Sequence, residues 1–299
     1  MPDAPAKEPL TKEERRARRD ARRAKQRAEN VGRAAKMHAA RVAWERDAQL
    51  IPPASAPAAL REIHVGCSGW FYWHWRGGFY AHDLPTSGWF AHYAQHFTTV
   101  ELNAPFYSWP TVATVRGWLR QAGQRPFVYT VKASELITHT RRFAGTRTLV
   151  RDFGHIADLL GPRMGCFLYQ LPPSFRYTRA RLERIVSQLD PARRNVVEFR
   201  HRSWWNDRVF TAFRAAGIAF CSCSGPRLPD ELVTTADDLY VRFHGVRQWY
   251  RHDYTSAELA VWAERIQASG ARRIWAYFNN DRDEFAIKNA RELLRLLAR

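Results

Sequence analysis

Two residues apart in the stretch NVVEFRHRSWW, residues 195–205, Glu198 and Arg200 follow directly on a pair of valines. A carboxylate can accept a proton or orient a substrate, and a guanidinium fork matches the oxygens of a phosphate or carboxylate. The same arrangement, an apolar run that ends in polar or charged residues, recurs along the chain. TTVELN ends in Glu101 and Asn103, FVYTVK in Lys132, GCFLYQ in Gln170, LYVRFH in Arg242 and His244, and the run from residue 273 in Asn279 and Asn280. Glu101, Lys132, Glu198 and His244 are the candidates for catalysis. Arg200, Arg242, Gln170, Asn103, Asn279 and Asn280 are the candidates for substrate binding.

Eight short β-branched and aromatic runs carry these residues, at 62–67, 98–103, 127–132, 165–170, 195–200, 218–223, 239–244 and 273–279. Amphipathic helical patterns lie between most of them, which predicts βα units and a parallel sheet. The connection from the sixth to the seventh run, SGPRLPDELVTTADD, is broken by prolines and is expected to hold no full helix. Eight such units predict a single (β/α)8 TIM-type barrel, an α/β fold. An open doubly wound sheet would need a glycine-rich phosphate loop after an early strand, and no such motif occurs, so no cofactor is expected.

Successive side chains on a strand point to opposite faces, so parity sorts each run into two lists. Val197 and Phe199 oppose Val196, Glu198 and Arg200; Val131 opposes Lys132; Val241 and Phe243 oppose Tyr240, Arg242 and His244. One list is apolar and must support the helices. The other turns polar toward the C-terminal end of each strand, the mouth where barrel active sites sit. The parity of Asn279 against Asn280 stays open.

Charge counting gives the mouth its expected ligand. Two glutamates against Lys132, Arg200 and Arg242, counted as permanent cations, leave a positive surplus that burial makes costly and an anion would relieve. Glu101, Glu198 and His244 are potential metal ligands, but a lumen with one histidine, no aspartate and three cations argues against a metal. Phosphoester hydrolysis is the first reaction to consider, proton transfer on a sugar phosphate the second, and a Schiff base on Lys132 the third. Trp70 and Trp204, in the aromatic loops after the first and fifth strands, are expected to help hold the substrate.

Composition bounds the rest. The chain has 299 residues, a net charge of +18 and only six lysines among its 47 basic residues. Such charge suits a polyanion, so a nucleic-acid-binding protein with a basic surface and an aromatic rim is the alternative to an enzyme. No apolar run is long enough to span a bilayer and no signal peptide is evident, so a soluble, cytoplasmic protein without a membrane partner is expected. The four cysteines match no zinc or redox framework, and structural thiols are expected, with a nucleophile at Cys67 or Cys223 as the rival reading.

Residues 1–58 differ from the barrel region, 59–299. KEERRARRDARRAKQRAEN has high helix propensity, but its apolar residues are nearly all alanine, so it reads as a basic tail, helical or disordered, with few contacts to the barrel. Pro52, Pro53 and Pro57 end it in a linker.

The blocks VGCSGWFYWHW, VELNAPFYSWP, FVYTVKASELITH, FLYQLPPSF, VVEFRHRSWW, VRFHG and AYFNND resemble, in order and spacing, those of the domain of unknown function 72 family, also called YecE-like. The resemblance spans about residues 62–297 and implies a TIM-barrel fold. It implies no reaction. The family's usual small residue in the first block is Cys67 here, which weakens the nucleophile reading.

Overall fold

The computed structural model describes residues 11–47 and 61–298, and the expected proline linker lies outside them. Helix α1 (Lys12–Asp47) precedes the sheet. Then follow β1 (Glu62–Cys67), α2 (Trp89–His96), β2 (Thr99–Leu102), the short α3 (Ala104–Tyr107), α4 (Val112–Ala122), β3 (Val128–Lys132), α5 (Arg147–Leu160) and β4 (Met164–Gln170). The second half runs α6 (Arg179–Val186), β5 (Asn195–Glu198), α7 (Asp207–Ala216), β6 (Ala219–Ser224), β7 (Asp238–Phe243), α8 (Ser256–Ala268), β8 (Arg273–Phe278) and α9 (Phe285–Leu297). No helix separates β6 from β7, as the prolines foretell. None of the helices described is long and apolar enough to cross a membrane.

All eight strands are parallel, in the order β1-β8-β7-β6-β5-β4-β3-β2, and they form a nearly closed (β/α)8 barrel. Helix starts follow local chemistry. Thr111, Thr178 and Asn206 each accept a hydrogen bond from a first-turn amide, and Thr255 with Glu258 makes a full capping box. The remaining seam, between β1 and β2, is bridged by one side chain: the Tyr93 hydroxyl accepts from the Cys67 amide at 2.9 Å and donates to the Thr99 carbonyl at 3.0 Å. Gly66 permits this approach, because a β-carbon there would stand 2.5 Å from the Thr99 carbonyl oxygen.

The outward strand residues, such as Val100, Val131, Val197 and Val241, join the helices in one continuous core. Inside the barrel, Cys166, Leu168, Val196, Cys221, Tyr240, Trp275 and Tyr277 fill the lower and middle layers. The Tyr277 hydroxyl sits between Thr99 and Thr130, at 2.7 and 3.0 Å, so its polar tip is satisfied within the lumen. This packing leaves chemistry only to the upper layer.

Helix α1 departs from expectation, for it docks. Asn30, Ala34, Met37 and Arg41, spaced to share one face, are buried against the barrel beside α5. Asn30 donates to the Tyr107 carbonyl and accepts from the Trp109 amide, both at 2.9 Å, and Arg41 Nε donates to Asp152 at 2.8 Å. Polar anchors that replace an apolar stripe are invisible to a hydrophobic pattern, which is why the sequence suggests a solitary helix.

Candidate functional site

The strand ends bring Glu101, Glu198, Arg242, Arg200 and His244 into one network at the mouth. Arg242 on β7 is its centre. Its Nη2 donates to Glu101 Oε1 at 2.5 Å and its Nη1 to Glu198 Oε2 at 2.6 Å, and all three side chains are fully buried. Glu101 is further held by the hydroxyls of Ser68, at 2.7 Å, and Tyr240, at 2.6 Å. Arg200 Nε donates a short hydrogen bond to Glu198 Oε1, and its Nη2 lies 3.0 Å from His244 Nε2. Asn279 lies on the other ring nitrogen of His244, at 3.3 Å.

The electrostatics follow from burial and pairing. Burial pushes the Glu198 carboxyl up, but the charges of Arg200 and Arg242 outweigh it and hold it well below the usual carboxylate range. Burial also works against the Arg242 charge, and Glu101 and Glu198 overcome it. His244 stays neutral, because burial and then the two arginines lower its pKa. Neither glutamate is free to act as a base, since each is already spent on guanidinium groups.

Lys132, at the end of β3, differs from the rest. Its ammonium nitrogen lies 4.2 Å from the centroid of the Phe106 ring, and among the described residues no carboxylate comes within ion-pair distance. Burial, and next the charge of Arg242, pull its pKa down from 10.5 to about 7. The count of Lys132 as a third permanent cation is therefore corrected. Two glutamates balance two arginines, and Lys132 is the group whose charge the surroundings decide.

Beside this network opens a cavity of about 620 Å³, lined by Gln170, Arg200, His201, Arg202, Arg227, Trp249 and Tyr250 among others. Arg200 joins cavity and network: 9% of its side chain is exposed and its guanidinium stacks 4.4 Å from the Trp249 ring. Arg242 has no such access, so it holds the two glutamates together and does not present a free fork to a ligand. Gln170 lines the cavity while donating to the Leu171 carbonyl at 2.7 Å. Asn103 donates to the Ser68 carbonyl at 3.0 Å, and its own carbonyl oxygen is buried without a partner.

Three expected binding residues stand elsewhere. Asn280 ties the end of β8 to α9 and to the loop between β7 and α8, donating to Asn289 and to the His252 carbonyl, both at 2.7 Å, so the parity left open resolves in favour of Asn279. Trp204 is fully buried, stacked between Phe199 and Phe175, and donates to the Phe175 carbonyl. Trp70 packs edge-on against Phe90. A large aromatic side chain beside a strand end is drawn into the shell between barrel and helices, where it removes more apolar area from water than at the rim.

Residues not foreseen also reach the site. His139, on a π-helical turn at Leu136–Thr140, lies against Phe106, with ring centroids 4.9 Å apart. Burial, and next the charge of Lys132, pull its pKa down to about 4, so it faces Lys132 as a neutral ring. Arg202 and Arg227 line the cavity from loops, where periodicity gives no signal.

The donor atoms of Glu198, Cys223 and His244 all lie within 4.8 Å of one another. They fit a metal ion poorly. Both Glu198 oxygens accept from arginines, and the Arg200 guanidinium occupies the edge of His244 that a cation would need. All four cysteines are free and buried, and burial raises the pKa values of Cys67, Cys166 and Cys221, which opposes a nucleophilic thiolate.

Comparison with known proteins agrees with the architecture. The model of a family described as protein of unknown function DUF72 matches residues 64–299, so α1 lies ahead of the matched region. The UPF0759 protein YunF of Bacillus subtilis is 23% identical, over 79% of this chain and 94% of its own. The crystal structure of a DUF72 family protein from Thermotoga maritima is similar with a TM-score of 0.72 and 27% identity, covering 80% of this chain and 100% of that one. A DUF72 family protein from Enterococcus faecalis, 18% identical with a TM-score of 0.68, covers 79% of this chain and 96% of its own and shares the fold.

Proposed function

The chain belongs to the DUF72 family, and from its barrel mouth we propose an enzyme that moves a proton on a small anionic substrate, a sugar phosphate or similar compound. Arg200, with Arg202 and Arg227 along the cavity, holds the anion. The amine of Lys132 is the base. The observation that carries this reading is the placement of Lys132, buried over Phe106 beside Arg242 with its pKa near 7, where an amine is half unprotonated at neutral pH.

Among the three reactions the residues suggest, phosphoester hydrolysis is the less well supported. It needs a carboxylate that is free to orient the attacking water as well as an anion site, and Glu101 and Glu198 are both committed to Arg242. A Schiff base on Lys132 draws on the same neutral amine and is the second reading. The two readings part on trapping: an imine is fixed by borohydride as a covalent adduct on Lys132, whereas a base leaves none.

The test is exchange of carbon-bound hydrogen for deuterium in a panel of ketose and aldose phosphates, followed by NMR. Wild-type protein should catalyse exchange with a rate limb near pH 7, and Lys132→Met should abolish it. Exchange that survives Lys132→Met, or a wild type that neither exchanges any of these compounds nor binds inorganic phosphate, would overturn the reading.

A further inference from the structure

We propose that the N-terminal part of α1, residues 12–27, is a rigid basic arm that guides a single strand of nucleic acid across Tyr107 and Tyr250 toward the barrel mouth. The proposal goes beyond the small-molecule reading and rests on it only for the strand's destination.

The arm starts where docking ends. Asn30 is fixed to Tyr107, the last residue of α3, and to Trp109 just beyond it, and Arg27 pairs with Glu135 after β3 at 3.1 Å, so α1 crosses the rim near these residues. Residues 12–25 beyond them are all exposed, and at 1.5 Å per residue they add roughly 20 Å of helix. Between Lys12 and Arg27 stand nine lysines and arginines against Glu13, Glu14 and Asp20. Such a density of like charge on an exposed helix calls for a polyanion.

The side on which the charge lies comes from the helical repeat. Asn30, Ala34, Met37 and Arg41 mark the face that packs on the barrel. Continued upward at the same three-and-four spacing, that face carries Lys12, Arg16, Arg19 and Arg23. The docking face below the rim thus becomes a basic face above it, turned toward the mouth. Arg18, Arg22 and Lys25 lie on its outer flank.

Between arm and cavity stand exposed aromatics. Tyr107 is 54% and Tyr250 42% exposed, and the Tyr107 phenol lies within electrostatic reach of both Tyr250 and Arg23. Tyr250 in turn lines the cavity with Arg200 and Trp249. Cations alternating with exposed rings suit a strand whose bases are unpaired and free to stack. An anionic membrane is the poorer partner, because the arm's remaining face, Ala17, Ala21, Ala24 and Ala28 with acidic neighbours, has no large apolar residue to insert.

Anisotropy of a fluorescein-labelled oligothymidylate of about 20 nucleotides, titrated with the full chain at several salt concentrations, tests the proposal. Wild type should bind with a steep salt dependence. Replacing Arg16, Arg19 and Arg23 by glutamine should weaken binding about tenfold and reduce the salt slope by roughly 2, whereas the same change at Arg18, Arg22 and Lys25 should cost much less. Tyr107→Ala should weaken it roughly fivefold or more. Equal losses from the two triple variants, no loss from the inner one, tighter binding to a duplex of the same length, or binding only to anionic vesicles would each overturn the proposal. Inorganic phosphate titrated by calorimetry separates the two readings. If the oligonucleotide binds through the arm while phosphate does not bind the mouth and no sugar phosphate exchanges, the small-molecule reading falls and the arm stands.

Discussion

The ammonium nitrogen of Lys132 lies 4.2 Å from the centre of the Phe106 ring, with the charge of Arg242 nearby and no carboxylate of its own. The ring offers the charge a weak attraction that does not offset its desolvation, so the proton is held loosely. An anion held by Arg200 would offset part of the surrounding positive field and shift the balance part of the way back, so that the amine gains some proton while a fraction stays free to act as base. Ligand binding at pH 8 should therefore take up protons from the buffer, which calorimetry in buffers of different ionisation enthalpy would register as a buffer-dependent heat.

The same lysine sets a pH dependence of stability. Its folded pKa, near 7, lies below the unfolded value of 10.5, so over the window between them the unfolded chain binds more protons and stability rises with pH. Below pH 7 both states are protonated and this contribution levels off at its most unfavourable. Lys132→Met should raise the melting temperature by about 2 °C or more at pH 6, with the difference shrinking as pH approaches 10, while turnover is lost. A lower melting temperature at both pH values would show that the lysine is structural.

Arg242 and Arg200 should separate on mutation. Arg242→Ala leaves Glu101 and Glu198 buried side by side without their shared partner and should cost about 3–5 kcal/mol of stability. Arg200→Gln keeps a donor at the cavity edge and should weaken phosphate binding about tenfold or more with a far smaller effect on stability. Denaturant titration alongside phosphate calorimetry of both variants checks the contrast.

Helix α1 contributes to the fold, contrary to its alanine-rich appearance. Arg41→Ala would leave Asp152, which is buried, with only the half-exposed His38 as a partner. A loss of about 2–4 kcal/mol is expected, read as a fall of several degrees in melting temperature. Neutralising the arm beyond the rim should leave that temperature unchanged, because residues 12–25 are exposed.

Two glycines test the closure of the barrel. Gly66→Ala would drive a β-carbon into the Thr99 carbonyl, 2.5 Å away, and force β1 and β2 apart at the seam that Tyr93 bridges. A cost of about 2 kcal/mol or more is expected. Gly154→Ala, inside α5 with nothing within 4 Å of the new atom, should be neutral or stabilise by up to about 1 kcal/mol. Urea midpoints of the two variants should move in opposite directions or differ by this margin.

The order of the elements, the missing helix between β6 and β7 and the inward parity of Glu101, Lys132, Glu198, Arg242 and His244 were all legible in the sequence, because they rest on periods of two and 3.6 residues that neighbouring positions impose. What each inward side chain meets across the lumen was not, since partners such as Glu101 and Arg242 stand 141 positions apart. Only the closed barrel decided that Arg242 is consumed between two glutamates while Arg200 faces the cavity, and that Trp204 belongs to the shell. It likewise decided that Lys132, which any count of charges enters as a cation, stands where burial and a neighbouring arginine make its charge conditional: net charge is a property of composition, but the free energy of holding a charge is a property of its surroundings.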